Sequence, residues 1–180
     1  GHVAIGHTRY STTGSSSPIN AQPMISKSPT VELAVSHNGN VINAIELRER
    51  LKTWGVSCVT GSDTEVIAHM LAWAPGTDWS EKTTYLLRAL QGAYSLTVAT
   101  RDTLLGIRDP LGVRPLCLGT YRSGWVIASE SSALDHVGAT FVREIEPGET
   151  VIADRSGLTS VPFQSGNKQS AHCIFEHIYF

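Results

Sequence analysis

Three short segments carry side chains that suit the charged ends of an amino acid and a developing oxyanion: Gly6-His7-Thr8-Arg9-Tyr10-Ser11-Thr12, His37-Asn38-Gly39-Asn40 and Ser62-Asp63-Thr64-Glu65. The Arg9 guanidinium can hold a carboxylate through two parallel charge-assisted bonds, a geometry that a lysine does not reproduce. The same side chain also suits an ordinary surface ion pair. Asp63 can receive an ammonium group, although Ser62 followed three residues later by Glu65 is also a capping box that starts a helix. Asn38 supplies an amide donor and Gly39 a backbone N–H unobstructed by a Cβ, so the pair suits an oxyanion hole. Asn-Gly is equally a strong hairpin-turn signal. His37 fits either a ligand contact or packing. With an ordinary pKa near 6.5 it can serve as a base, yet no Ser or Cys stands beside it.

A carboxylate holder, an ammonium holder and donors for a tetrahedral oxygen are the three needs of a free glutamine undergoing attack at its side-chain amide. A nucleophile is missing from the set. None of the three cysteines (Cys58, Cys117, Cys173) lies near the three segments. The hydroxyls of Thr12, Thr13, Ser15, Ser16 and Ser17 surround Gly14 without a G-x-S-x-G elbow or a P-loop lysine, and read as a polar loop. Because the chain opens at Gly1 in mid-pattern, it reads as a fragment.

The positions of these groups depend on a mixed α and β domain. At 180 residues, with 41% hydrophobic and 17% charged content, the chain is long enough for one domain with a substantial core. A net charge of -2, from 14 basic and 16 acidic residues, gives no basic stripe for nucleic acid and no acidic block. Three cysteines without C-x-x-C spacing argue against a disulfide framework and fit a reducing cytoplasm. No apolar run approaches the roughly 20 residues that span a bilayer. The expected partners are small molecules and other proteins, with no nucleic acid and no membrane.

Val31 to Ser36 reads as a strand running into an Asn38-Gly39 turn, and 44–54 as a helix closed by Gly55. A second helix opens at Ser62, with Val66, Ile67, Met70, Leu71 and Trp73 toward the core, and stops at Pro75-Gly76. A third covers Ser80 to Leu90. Short strands follow at 94–100, 104–108, 116–119, 125–128, 141–145 and 150–153, which is an antiparallel meander needing helical cover. Residues 155–170 are polar and read as an exposed connection before the apolar run from Cys173 to Phe180.

Taken together, the three opening segments resemble the class II, or N-terminal nucleophile, glutamine amidotransferase domain, which shares G-H-x-R-[YW], H-N-G and S-D-[ST]-E in this order. Three further segments resemble the branch of that class that delivers ammonia to phosphoribosylpyrophosphate in purine synthesis. They are Arg108-Asp109-Pro110-Leu111-Gly112-Val113-Arg114-Pro115-Leu116, the pair Ala128-Ser129-Glu130-Ser131 and Glu146-Pro147-Gly148-Glu149, and Cys173 to Phe180. A sugar-phosphate amidotransferase of the same class would carry Trp in place of Tyr10 and lack the 108–116 segment. A glutamine-binding domain without catalysis is a rival from another class.

The resemblance implies an α+β fold, a four-layer α-β-β-α sandwich of antiparallel sheets. It implies a glutaminase domain over 1–170 and, at 171–180, the start of a connection to an acceptor domain. It assigns Arg9 to the glutamine carboxylate, Asp63 to the ammonium, Asn38 and Gly39 to the oxyanion hole, and Tyr10 to communication with the acceptor site; His37 is a substrate-contact candidate on its own chemistry. The nucleophile is expected to be an N-terminal cysteine ahead of Gly1, so the chain alone is expected to be inactive. Mg²⁺ is expected in the acceptor domain. Cys173 corresponds to one of four [4Fe-4S] ligands in cluster-bearing members, and a homo-oligomer is expected. The resemblance gives no catalytic role to Arg108, Asp109 or Arg114.

Overall fold

Alternation of side chains along the strands sorts the chain into two antiparallel sheets, because successive Cβ atoms point to opposite faces. The computed structural model describes residues 1–9 and 17–163. The larger sheet contains β1 (Met24–Lys27), β2 (Glu32–Val41), β3 (Gly92–Ala99), β4 (Leu104–Arg108), β8 (Glu149–Asp154) and β9 (Gly157–Pro162), in the order β1-β2-β3-β4-β8-β9. The smaller sheet has the order β6-β5-β7, from β5 (Cys117–Tyr121), β6 (Gly124–Ala128) and β7 (Thr140–Glu144). Every strand pair is antiparallel.

One face of the large sheet packs beneath α1 (Ala44–Thr53), α2 (Asp63–Ala72) and α3 (Trp79–Ala89). Tyr94, Leu96 and Val98 of β3 and Leu105 and Ile107 of β4 meet Val66, Ile67, Met70 and Leu71 of α2 there. Complete burial of such side chains contributes roughly 1.5–3 kcal/mol each. The opposite face meets the small sheet through Val151, Leu118, Ile145, Trp125 and Ile127. Gly106 marks their close approach, since a Cβ there would stand 3.0 Å from Ile127 and Ile145. On the far side of the small sheet, Cys117 and Ala139 pack on Leu134 of α4 (Ser131–His136). The layers run helix, sheet, sheet, helix, as expected.

Each helix start has a local cause. Ser62 accepts the Thr64 N–H at the head of α2, and Asp78 accepts the Glu81 N–H at the head of α3. Beyond the C-terminus of α2, the buried Lys82 ammonium donates to the Ala74 carbonyl at 2.6 Å and ties the two helices together.

Four features depart from the sequence expectations. The Asn38-Gly39 pair is not a turn, because β2 continues through it to Val41. Cross-strand pairing with Ala93, Tyr94 and Ser95 overrides the local preference. Residues 157–162, expected as exposed connection, form β9, an edge strand that pairs with β8 throughout. Strand β1 and helix α4 were not expected; each is short, and β1 alternates buried and exposed residues over only four positions. Tyr10, Cys173 and the 171–180 segment lie outside the described residues.

Candidate active site

The H-N-G tripeptide is divided by the pleat of β2. His37 shares a face with Leu33, Val35 and Val41, toward the helices, whereas Asn38 shares the opposite face with Ser36, between the sheets. Gly39 has φ +145°, and a Cβ at that position would fall 2.8 Å from the Tyr94 Cα. Only glycine satisfies that backbone.

Asn38 lines a cavity of about 270 Å³ together with Gly6, His7, Thr8, Pro115, Ser129 and Glu130. Its Oδ1 accepts a 2.6 Å bond from Arg114 Nη2. Arg114 belongs to the turn between β4 and β5, whose interior is ionic. Asp109, fully buried, accepts from the N–H groups of Leu111, Val113 and Arg114. Arg108 donates to the carbonyls of Arg114, Gly112 and Ile145 and pairs with Glu144 at 3.2 Å. The Glu130 Oε2 is buried with no hydrogen-bond partner among the described residues. Such an oxygen is costly unless a donor or cation reaches it.

Beneath the first turn of α2, His37 and Asp63 form a second group. Asp63 is buried, with Oδ2 accepting the Val41 N–H at 3.0 Å. Its Oδ1 lies 3.7 Å from His37 Nδ1, which also approaches Thr64 Oγ1 at 3.3 Å. Burial lowers the His37 pKa to about 4 despite the neighbouring Asp63 carboxylate. At neutral pH the imidazole is therefore uncharged. Gln22 binds both sides of this group, accepting the His37 N–H at 2.7 Å and donating to Thr64 Oγ1 at 3.0 Å.

The first segment runs alongside. His7 donates from Nε2 to the His37 carbonyl at 3.0 Å, and burial lowers its pKa. The alternating exposure of residues 2–9 places Arg9 in phase with His7, both partly buried. Asn38, Thr8 and His7 thus converge on one cavity, while His37 and Asp63 lie together on the other face of β2. The sequence reading missed Glu130 as a cavity group and Arg114 as the partner of Asn38. The compact R-D-P-x-G-x-R-P spacing marked the turn that carries Arg114 but not its contact with Asn38.

Glu65 does not complete the capping box by reaching Ser62. Its carboxylate accepts from the Val59 and Thr60 N–H groups and the Thr60 hydroxyl, which together outweigh burial and lower its pKa. Cys58 and His69 approach it, all three ligand atoms lying within 4.8 Å of one another. Arg48 stands 3.8 Å from the same carboxylate and disfavours a cation there. Burial raises the pKa of both Cys58 and Cys117. These thiols belong to separate core clusters and neither lines the cavity. The Cys58, Glu65 and His69 group is not a four-thiolate iron–sulfur set, and Cys173, the candidate ligand, lies outside the described residues.

Two antiparallel sheets between helical layers, with an amide donor fixed at the cavity between them, define a glutamine amidotransferase domain. The family model of that description matches residues 7–136, and the chain belongs to this family. Within it, the chain is homologous to the corresponding domain of amidophosphoribosyltransferases. It is 45% identical, over its whole length, to the amidophosphoribosyltransferase of Synechococcus elongatus and 42% identical to the chloroplastic amidophosphoribosyltransferase 3 of Arabidopsis thaliana, spanning 38% and 34% of those proteins. It superposes with a TM-score of 0.86 on the glutamine phosphoribosylpyrophosphate amidotransferase of B. subtilis in complex with ADP and GMP. Identity there is 38%, covering 97% of this chain and 37% of that one. The chain therefore spans little more than a third of the length of these relatives. A class-II domain protein from Silicibacter pomeroyi, with a TM-score of 0.52 at 16% identity, shares the fold.

Proposed function

We propose that this chain is the glutamine-hydrolysing part of an amidophosphoribosyltransferase, which passes ammonia to phosphoribosylpyrophosphate and yields 5-phosphoribosylamine, glutamate and pyrophosphate. The observation that carries the reading is the Asn38 amide, held by Arg114 at the wall of the cavity. Once a thiolate attacks the glutamine side-chain amide, the carbonyl oxygen gains negative charge. The Asn38 NH₂ and the Gly39 N–H are the donors assigned to it. Arg9 takes the α-carboxylate, in phase with His7 at the cavity. The family resemblance assigns Asp63 to the ammonium, from the face of β2 opposite the Asn38 side chain.

Neither Cys58 nor Cys117 lines the cavity, so the nucleophile is taken to be the cysteine that the family carries at its mature N-terminus. Mg²⁺ belongs, in this reading, to the phosphoribosyl acceptor domain. A reducing cytoplasm suits the free thiols of Cys58 and Cys117. No helix among the described residues is long and apolar enough to cross a membrane. Exposed Phe141 and Val142 on the edge strand β7 offer a surface for the homo-oligomer this reading includes.

The test is pyrophosphate release from phosphoribosylpyrophosphate by the complete protein. Release that requires glutamine and is matched by glutamate supports the proposal. A folded protein that binds glutamine without releasing pyrophosphate refutes it.

A further inference from the structure

We propose that Arg114 is a positioning residue for Asn38, selecting the amide orientation that turns the NH₂ end toward the cavity. The inference deepens the oxyanion reading of Asn38 and rests on it. A side-chain amide has two ends of nearly equal size and opposite electrostatic effect. Its NH₂ stabilises a developing oxyanion, whereas its carbonyl repels one.

A guanidinium carries donors only, so the 2.6 Å contact from Arg114 Nη2 can be made only to Oδ1. Reversal of the amide would set donor against donor. No other hydrogen bond holds the Asn38 side chain among the described residues. The choice between the two orientations therefore falls to Arg114.

Arg114 is itself fixed by the strands that carry Asn38. Asn38, Ser95 and Arg108 stand opposite one another across β2, β3 and β4, in one row on the face toward the small sheet. Ser95 Oγ and Arg108 Nε both donate to the Arg114 carbonyl at 3.0 Å, while Asp109 accepts its N–H at 3.3 Å. Arg114 thus lies over the row, with its backbone bound to the second and third members and its guanidinium to the first. The R-D-P-x-G-x-R-P turn is therefore a brace for the oxyanion donor. Gly112 makes the turn possible at φ +66°, where a Cβ would stand 2.6 Å from Pro147 Cγ.

The test measures glutamate release by the complete enzyme bearing Arg114→Met, Arg114→Lys, Asn38→Ala and the Asn38→Ala/Arg114→Met pair, with thermal unfolding of each. The expected result is a fall of about tenfold or more in kcat for Arg114→Met with the glutamine KM within about threefold. Arg114→Lys, which keeps a donor at this site, is expected to recover part of the loss. The double variant is expected to be no slower than Asn38→Ala, because both changes remove one function. Losses that multiply, or a change confined to KM, overturn the proposal. If Arg114→Met does not fold, Arg114→Lys decides: wild-type kcat with an elevated KM refutes positioning, and a kcat loss absent in the Asn38→Ala background supports it. Should Asn38→Ala itself leave kcat unchanged, the oxyanion reading fails separately.

Discussion

Gly39 crosses Tyr94 between β2 and β3 so closely that a Cβ on the glycine would lie 2.8 Å from the tyrosine Cα. With φ at +145°, the position also lies outside the backbone range that other residues adopt readily. Gly39→Ala is expected to destabilise the domain by about 2 kcal/mol or more, as strain and overpacking add. Urea unfolding measures this, and an unchanged midpoint would show that the β2–β3 pair relaxes freely.

Asn38→Ala removes a donor whose effect is concentrated in the transition state. The glutamine-dependent kcat of the complete enzyme is expected to fall by roughly 10² to 10³, with a much smaller change in KM. Steady-state glutamate release distinguishes the two parameters. A loss expressed only in KM would make Asn38 a ground-state contact.

Arg9→Ala acts on binding instead. The KM for glutamine is expected to rise at least tenfold, while synthesis supported by added ammonia continues, since ammonia bypasses glutamine hydrolysis. Equal loss of the two activities would contradict the assignment of Arg9 to the substrate carboxylate.

The pH dependence of stability follows from His37, whose pKa falls from an ordinary 6.5 to about 4 on burial. The unfolded chain takes up the proton first, so this contribution to stability is complete above about pH 6.5 and is lost progressively toward pH 4. The slope from one such group approaches roughly 1.4 kcal/mol per pH unit. His7 and His69 are shifted in the same direction and add to it. Denaturant unfolding at pH 7, 6 and 5 should show the decline, with a shallower slope in His37→Gln. A parallel slope in that variant would assign the effect to other groups.

Local chemistry made the start of α2 legible in sequence, because Ser62 carries its own capping instruction. The course of β2 was less legible, since Asn38-Gly39 favours a turn and only pairing with β3 keeps it extended. That error also concealed the division of His37 and Asn38 between opposite faces, which depends on strand phase. Arg114 meets Asn38 across 76 residues, so no local pattern announces the contact. Edge strand β9 was missed because much of it is exposed and polar, which weakens the apolar alternation that marks a strand.

The ammonium of Lys82, enclosed between α2 and α3, makes the domain its own probe of local opening. Amine-acylating reagents reach the exposed Lys27 and Lys52 directly, but they reach the buried Lys82 only when its bond to the Ala74 carbonyl breaks. The acylation rate at Lys82 relative to Lys52 therefore reports how often the connection between α2 and α3 opens in the native protein.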